Sequence, residues 1–163
     1  MTSIRRPLLL ATAAALILSI VGCATTPPPT TIADTAARRP ELSTLSKLLA
    51  DAGLTDTLRG AGPFTVFAPS NDAFKAVPAK TMAELAADKE LLKSVLSYHV
   101  LAGKLTSADA KNGNLKTVQG ANVAVGKAGT FVTVEEAVVT EADVAATNGV
   151  IHVIDKVLLP PKR

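Results

Sequence analysis

Few side chains in this chain have the chemistry that catalysis or metal binding requires. The two histidines, His99 and His152, could act as ligands or bases, and Asp72 and Asp155 could partner them. The sequence contains no His-Glu-x-x-His motif, no paired Cys-x-x-Cys motif and no cluster of carboxylates. Two isolated histidines are a weak metal signal. We therefore expect both histidines to be satisfied by hydrogen bonds in or beside the core, with no metal and no cofactor.

Ser70 is a further candidate, as a nucleophile. It follows Pro69 and lacks the Gly-x-Ser-x-Gly setting of a hydrolase nucleophile, so a helix N-cap explains it better. The glycines form no phosphate-binding loop, because no Gly-Lys-Ser or Gly-Lys-Thr follows them. The absence of tryptophan and the single tyrosine leave little surface for stacking sugars or bases. The sequence predicts a protein that is not an enzyme and does not bind nucleic acid.

Residues 1–22 have the layout of a signal peptide rather than of a folded segment. Two arginines are followed by an apolar run over residues 8–21 and by a small-residue cleavage site. The run is too short for a comfortable transmembrane helix. Residues 20–23 resemble a bacterial lipobox, whose cysteine is acylated after cleavage, and Cys23 is the only cysteine. We expect a lipoprotein signal peptide over residues 1–22 and lipidation at Cys23; the alternative is an ordinary secretory signal beside an incidental cysteine.

Residues 23–31 predict a tether between this anchor and a folded domain. Three consecutive prolines and four threonines favour a solvated polyproline II conformation. About ten such residues reach at most ~35 Å, which would keep the domain near its membrane. Loss of the leader removes two arginines, so the formal net charge falls from +3 to +1. The mature chain then carries no basic stripe that would suggest a nucleic-acid partner.

The elements that must position these residues are organised around the stretch from Gly62 to Phe74. Residues 64–68 are apolar or strand-favouring on both faces, which predicts a strand covered on both sides. Pro69 ends the strand, Ser70 stands at an N-cap position, and Asp72 lies in the first turn of a short helix. Three of the five aromatic residues lie here, so we expect the centre of the core in this stretch.

The remaining pattern places helices before β-hairpins, which predicts an α+β fold. Apolar residues at helical spacing predict helices over residues 42–52, 54–58, 81–86 and 89–98, the last capped by Asp88 with its apolar face at Leu91, Leu92, Val95 and Leu96. Turn signals bound predicted strands over residues 115–118, 122–125, 131–134 and 137–146. Asn148-Gly149 then predicts a hairpin turn into residues 150–159, expected to be the longest strand.

Three segments, in this order, resemble the fasciclin (FAS1) domain: residues 64–74, Tyr98-His99 and residues 148–160. Asp143-Val144 also stands where that family usually has an Asp-Ile pair. The resemblance covers residues 32–161 and implies one domain, a wedge-shaped assembly of about seven β-strands with helices packed over it. The motif residues to which the resemblance assigns structural roles are Phe64, Phe67, Asn71, Asp72, Phe74, Asn148, Gly149, His152 and Asp155.

The resemblance implies a surface module for adhesion or protein–protein interaction, with no enzymatic activity. In adhesive animal members the Tyr-His pair is a proposed binding site, so Tyr98 and His99 are interaction candidates; the alternative is that they pack and bond inside the domain. The resemblance also implies that His99 bonds near the first motif, with Asp72 as its neighbour.

The expected partner is an unidentified cell-surface or matrix protein. The alternative function is a carrier that holds a lipid-like molecule or carotenoid-like pigment in an apolar cleft between the first and third motifs. We expect an exported, lipid-anchored protein of the cell envelope. In a Gram-negative host it would lie in the outer membrane, because Ala24 is not the aspartate that retains lipoproteins in the inner membrane.

Overall fold

The computed structural model describes residues 30–160; the predicted leader, Cys23 and the tether up to residue 29 lie outside them. The described residues form seven strands, six α-helices and one short 3₁₀ helix (Pro40–Leu42), which confirms the α+β class. The helices are α1 (Ile32–Arg38), α2 (Ser43–Asp51), α3 (Thr55–Arg59), α4 (Asn71–Ala76), α5 (Ala79–Ala87) and α6 (Lys89–Tyr98). The strands are β1 (Phe64–Pro69), β2 (Val100–Ala102), β3 (Gly113–Lys116), β4 (Asn122–Ala128), β5 (Phe131–Val134), β6 (Ala137–Ala146) and β7 (Gly149–Ile154).

The strands form one sheet in the order β2-β1-β7-β6-β5-β4-β3. Only β1 and β7 pair in parallel, with Phe64 opposite Gly149 and Pro69 opposite Ile154. The sheet curls until its two edges nearly meet. This is shown by an isolated bridge between Leu101 of β2 and Thr117, next to the end of β3. Beside this bridge the amide of Val118 donates to the carbonyl of Val100 at 2.8 Å. The result is a nearly closed barrel.

Two hydrophobic cores lie on opposite faces of this sheet. The first packs α1, α2, α3, α4, α5 and α6 against β1 and β7, and includes Leu45, Phe74 and Ile151. The second fills the inside of the curl, around Phe67 and Tyr98. Strand β1 separates the two, and its residues from Thr65 to Pro69 are all buried. The prediction of a central strand covered on both faces is therefore confirmed.

Several local predictions are confirmed in detail. The hydroxyl of Ser70 accepts from the amide of Ala73 at 3.2 Å, so Ser70 caps α4. Asp88 caps α6 through the amides of Glu90 and Leu91. Strands β5 and β6 have their predicted bounds.

Other predictions fail. Leu91 was expected in the core, but it is 37% exposed on the outer side of α6. The longest strand is β6, with 10 residues, rather than the segment after the hairpin, since β7 has only 6. Strand β7 ends at Ile154, opposite the end of β1 at Pro69. The amide of Ser70 makes the last bond between the two strands, to the carbonyl of Ile154 at 3.1 Å, and the chain then turns into α4.

The hairpin between β6 and β7 is confirmed, but its loop is Thr147-Asn148, because Ala146 pairs with Gly149. Gly149 is thus the first residue of β7 and not part of the turn. A Cβ atom there would collide with the carbonyl oxygen of Phe64 and lie 2.8 Å from Ile32 Cδ1. The glycine is needed for the close approach of β1, α1 and β7, and not for a turn conformation.

Candidate functional site

Asn148 joins three segments through its side chain. Its Oδ1 accepts from the amide of Ile32 at 2.9 Å, in the first turn of α1. Its Nδ2 donates to the carbonyls of Leu58 at 2.7 Å and Gly60 at 2.9 Å, at the end of α3. One amide side chain therefore supplies both a helix start and a helix end with partners that those helices lack.

Asn71 has the same role at another helix. Helix α2 begins after Leu42, which offers no capping side chain. Asn71 Oδ1 instead accepts from the amide of Thr44 at 3.0 Å, and its Nδ2 donates to the carbonyl of Pro40 at 2.8 Å. The motif that follows β1 thus caps a helix that lies nearly thirty residues earlier in the chain.

The predicted pairing of His99 with Asp72 is wrong. The Asp72 side chain is 86% exposed and forms an ion pair with Lys75 one helical turn later, at 2.8 Å. Asp72 lies on the outer side of α4, because the inward positions of this short helix are taken by Ala73 and Phe74.

His99 is buried at the end of α6 and bonds to other partners. Its Nδ1–H donates to the carbonyl of Val95 at 2.8 Å, and its Nε2 accepts from the amide of Leu158 at 3.0 Å. Because Val95 offers only an acceptor and Leu158 only a donor, the ring is held neutral in one tautomer. Burial lowers the pKa of His99 to about 4, against the opposing effect of the bond to Val95.

His152, in the middle of β7, is equally enclosed. Its ring stacks on Phe67 of β1 at a centroid distance of 5.7 Å. Its Nε2–H donates to the carbonyl of Leu105 at 2.8 Å, while Nδ1 accepts from the amide of Asp143 at 3.3 Å. The expectation that both histidines are satisfied by hydrogen bonds within the fold is confirmed.

Two aspartates anchor the strands around His152. Asp143 has a left-handed backbone, with φ of 58°, and its carboxylate accepts from both the amide and the hydroxyl of Ser107. Burial raises the pKa of Asp143, but the bonds from Ser107 outweigh it, so this pKa lies below its usual value. Asp155 Oδ1 accepts from the amide of Val138 at 2.7 Å, which ties the end of β7 to β6.

Tyr98 and His99 are each only 2% exposed, so the hypothesis that both face a partner is corrected. They are buried because α6 ends between the two cores. The Tyr98 hydroxyl lies within hydrogen-bonding distance of the Asn122 carbonyl, at 3.1 Å, and of Glu135 Oε1, at 3.2 Å. Burial and the neighbouring Glu135 carboxylate raise the pKa of Tyr98 to about 12, so the phenol stays protonated.

A groove of about 440 Å³ opens above this hydroxyl, and we call it the Tyr98 groove. Its walls are formed by Asn122, residues 135–137 and residues 156–159. Glu135, Glu136 and Lys156 are exposed there, and Leu159 is 52% exposed. Glu135 was not predicted as a site residue. It has a φ of 54°, and its carboxylate accepts from the amide of Ala124. That contact depends on the pairing of β4 with β5, which no pattern near Glu135 in the sequence indicates.

The apolar cleft expected between the first and third motifs is absent from the described residues. Those motifs form β1 and β7, which are adjacent strands paired along their whole length. Their neighbouring apolar cavity, lined by Leu58, Phe64, Val100 and Val118 among others, measures about 30 Å³. That volume holds little more than one or two water molecules.

Within residues 30–160, no group of three or more His, Cys, Asp or Glu side chains is arranged to hold a metal ion. None of the helices in this range is long and apolar enough to cross a bilayer. The polar groups of the motifs mostly bond to backbone groups, and the Tyr98 groove offers two carboxylates, one amine and apolar walls. Such a site can bind a partner through charge and apolar contact.

The fold is that of a FAS1-type α+β domain. A solved structure, described as a FAS1 domain pair from the insect cell adhesion molecule fasciclin I, matches it with a TM-score of 0.64 and 23% identity. The match covers 80% of this chain and 51% of that chain. Residues 40–160 match the model of the fasciclin domain, and the chain belongs to the fasciclin domain family, whose members are generally non-enzymatic.

Bacterial relatives extend over most of the chain. Protein sll1483 of Synechocystis is 43% identical over 145 residues, which covers 88% of this chain and 81% of the relative. Immunogenic protein MPB70 of Mycobacterium bovis is 41% identical, with 80% and 69% covered. Cell surface glycolipoprotein MPB83 of the same species is 42% identical, with 80% of this chain and 60% of the relative covered.

Proposed function

We propose that this protein is a non-enzymatic interaction module of the cell envelope, anchored by a lipid on Cys23. The main observation behind the proposal is that the polar side chains of the family motifs form their hydrogen bonds within the domain. Asn71, Asn148, His99 and His152 all bond within the domain, which leaves none of them free to act on a substrate. These bonds make a rigid scaffold, and a rigid scaffold that presents a fixed surface is suited to recognition.

The exported location rests on the sequence and on one relative. The leader ends in a lipobox-like segment at Cys23, and the relative MPB83 is described as a cell surface glycolipoprotein. The solved structural neighbour comes from a cell adhesion molecule. The partner we propose is therefore a protein of a cell surface or matrix.

The Tyr98 groove is the surface that we propose for this contact. It combines exposed apolar area at Leu159 with the charges of Glu136 and Lys156. A buried apolar centre with charged residues at its rim is the usual arrangement of a protein interface. The buried Tyr98 hydroxyl holds Glu135 in place at the base, so Tyr98 acts as a support for the groove and not as its contact surface.

The test is a gene deletion in the native host, scored for surface attachment and cell aggregation. Complementation with the wild-type gene should restore both, while a Glu136→Ala/Leu159→Ser gene should not. A Glu90→Ala/Leu91→Ser gene is the matched control, because it removes the same residue types from the exposed side of α6. Full restoration by the groove variant would reject the groove as the contact surface, and an unaffected deletion strain would reject the adhesion function.

The carrier of an apolar ligand remains the alternative. The Tyr98 groove falls within the volume range of small-molecule sites, but three charged side chains line it and an apolar ligand would have to desolvate them. Native mass spectrometry of the protein purified from its own membrane separates the two functions. A stoichiometric apolar ligand would support the carrier, and a ligand-free protein supports the interaction module.

A further inference from the structure

The two ends of the β1–β7 strand pair form opposite poles of the domain. One end, which we call the hairpin pole, comprises residues 61–63, Lys104 and residues 146–149 around a cavity of about 390 Å³. The other end carries the Tyr98 groove, because Asp155 follows Ile154 there and its amide and carboxylate bond to Val138 at the start of β6. Strands of six residues separate the two poles by roughly 17–20 Å.

The chain enters the domain at the hairpin pole. The carbonyl of Thr30 accepts from the amide of Thr147 at 3.0 Å, and the amide of Ile32 donates to Asn148 Oδ1. Two bonds to one hairpin loop fix the point at which the tether begins. Between this point and Cys23 lie six residues, 24–29.

The length of this segment restricts how the domain can sit on a membrane. From Cys23 to Thr30 the extended backbone spans at most about 25 Å. A compact domain of about 130 residues is roughly 35 Å across. An inverted domain, with its Tyr98 groove on the bilayer, would hold the start of the tether at least roughly 17–20 Å above the lipid and would need an almost fully extended tether. With the hairpin pole on the lipid surface the tether needs no such extension, so the length of the tether favours that orientation.

Charge favours the same orientation. Among the described residues that line the hairpin-pole cavity, Lys104 alone is charged, while the others are small, apolar or neutral. The lining of the Tyr98 groove instead carries two carboxylates, of Glu135 and Glu136, against the single amine of Lys156. Anionic lipid headgroups attract lysine and repel carboxylates, and the attraction falls off within a Debye length of about 10 Å.

We propose that the hairpin pole lies against the lipid surface and that the Tyr98 groove points away from it. This orientation rests on the proposed anchoring at Cys23. It places the groove more than one Debye length from the headgroups, where the charge of the membrane is screened. The partner is then met on the far side of the domain from its own membrane.

The chain offers a direct test, because it contains one cysteine and no tryptophan. The chain from Cys23 to Arg163 is coupled through the Cys23 thiol to a maleimide lipid in vesicles of phosphatidylethanolamine and phosphatidylglycerol. A tryptophan reporter is introduced at the hairpin pole by Thr147→Trp or beside the groove by Leu159→Trp, and both positions are exposed. Quenching by headgroup spin-labelled lipid then reports which pole lies near the surface.

We expect the Thr147→Trp fluorescence to be quenched several-fold more than that of Leu159→Trp. Equal quenching of the two reporters, or stronger quenching of Leu159→Trp, would overturn the orientation. Melting curves of both variants should match the wild type, and a reporter that unfolds the domain is replaced by Ala61→Trp or Glu136→Trp at the same pole. Because the anchor is attached chemically, the result does not depend on whether cells acylate Cys23. Acylation is tested separately, by membrane fractionation of a strain that carries Cys23→Ala.

Discussion

At the scale of single residues, the polar side chains of the motifs act as connectors. Asn148 bonds to segments 116, 90 and 88 residues away, and His99 receives a bond from an amide 59 residues away. Each of these groups lies in or beside a core, where an unpaired polar group is costly. Their replacement should therefore affect folding more than it affects surface properties.

We expect Asn148→Ala to reduce the free energy of unfolding by about 2–4 kcal/mol, because it leaves one amide and two carbonyls without their partner. Urea denaturation measures the loss. Asn114→Ala is the matched control, since Asn114 is exposed on β3, and it should change stability by no more than about 0.5 kcal/mol. Equal stability of the two variants would mean that the Asn148 bonds contribute nothing.

The low pKa of His99 predicts a stability that depends on pH. The folded ring stays neutral down to about pH 4, whereas an unfolded histidine takes up a proton near 6.5. The contribution is thus present above pH 6.5 and is lost as the pH falls towards 4, by about 2 kcal/mol between pH 7 and pH 5.

Denaturation at both pH values tests this dependence. Because His99→Gln removes the titrating group, this variant should be less stable at pH 7 but should lose less stability on acidification than the wild type. An identical loss in both proteins would assign the pH dependence to other groups.

At the scale of helices and strands, remote residues complete what the local chain leaves open. Helix α2 takes its cap from Asn71, and β7 can approach β1 and α1 only because Gly149 has no side chain. The first motif, residues 64–74, therefore stabilises a helix as well as forming a strand of the sheet. The third motif, residues 148–160, connects helix α1 to the sheet.

Asn71→Ala and Asp72→Ala form a matched pair of neighbouring substitutions. The first removes the cap of α2 and should cost about 1–2 kcal/mol of unfolding free energy. The second removes only an exposed ion pair with Lys75 and should cost no more than about 0.5 kcal/mol. Thermal denaturation compares the two variants. A larger loss of stability in Asp72→Ala would support the predicted pairing of Asp72 with His99, which the structure contradicts.

We expect Gly149→Ala to destabilise the domain by about 3 kcal/mol or more, because the added Cβ collides with the carbonyl of Phe64 in the neighbouring strand. Gly113→Ala is the control, since a Cβ there meets no atom within 4 Å and its backbone needs no positive φ. Circular dichroism and urea titration measure both. A Gly149→Ala protein as stable as Gly113→Ala would show that β1 and β7 can separate without cost.

At the scale of the whole molecule, the described chain enters the domain at the hairpin pole, where we propose that a short tether joins it to the lipid anchor. If Cys23 carries the lipid, Cys23→Ala should move the protein from the membrane fraction to the soluble fraction. Its melting temperature should not change, because the described domain contains none of the anchor. Immunoblots of fractionated cells measure the distribution, and a Cys23→Ala protein that remains with the membrane would reject the lipid anchor.

The sequence by itself determined the elements whose signals are local. The burial of β1, the cap residues Ser70 and Asp88 and the presence of a hairpin between β6 and β7 all follow from patterns within a few residues, although the loop of that hairpin lies one residue before the predicted one. Helix α1 was not predicted, although Thr31 caps it, because its buried face consists of one isoleucine and two alanines and gives only a weak apolar pattern. The family motifs supplied the sheet assembly, which no local pattern contains.

Only the tertiary structure decided which groups meet. It moved Asp72 to the surface, gave His99 the amide of Leu158, and closed the expected cleft by pairing β1 with β7. It also placed Glu135 beside Tyr98 and so formed the groove. The physical reason is that periodicity and capping act over a few residues, whereas a buried polar group takes whatever partner the packing of distant segments brings within 3 Å or so.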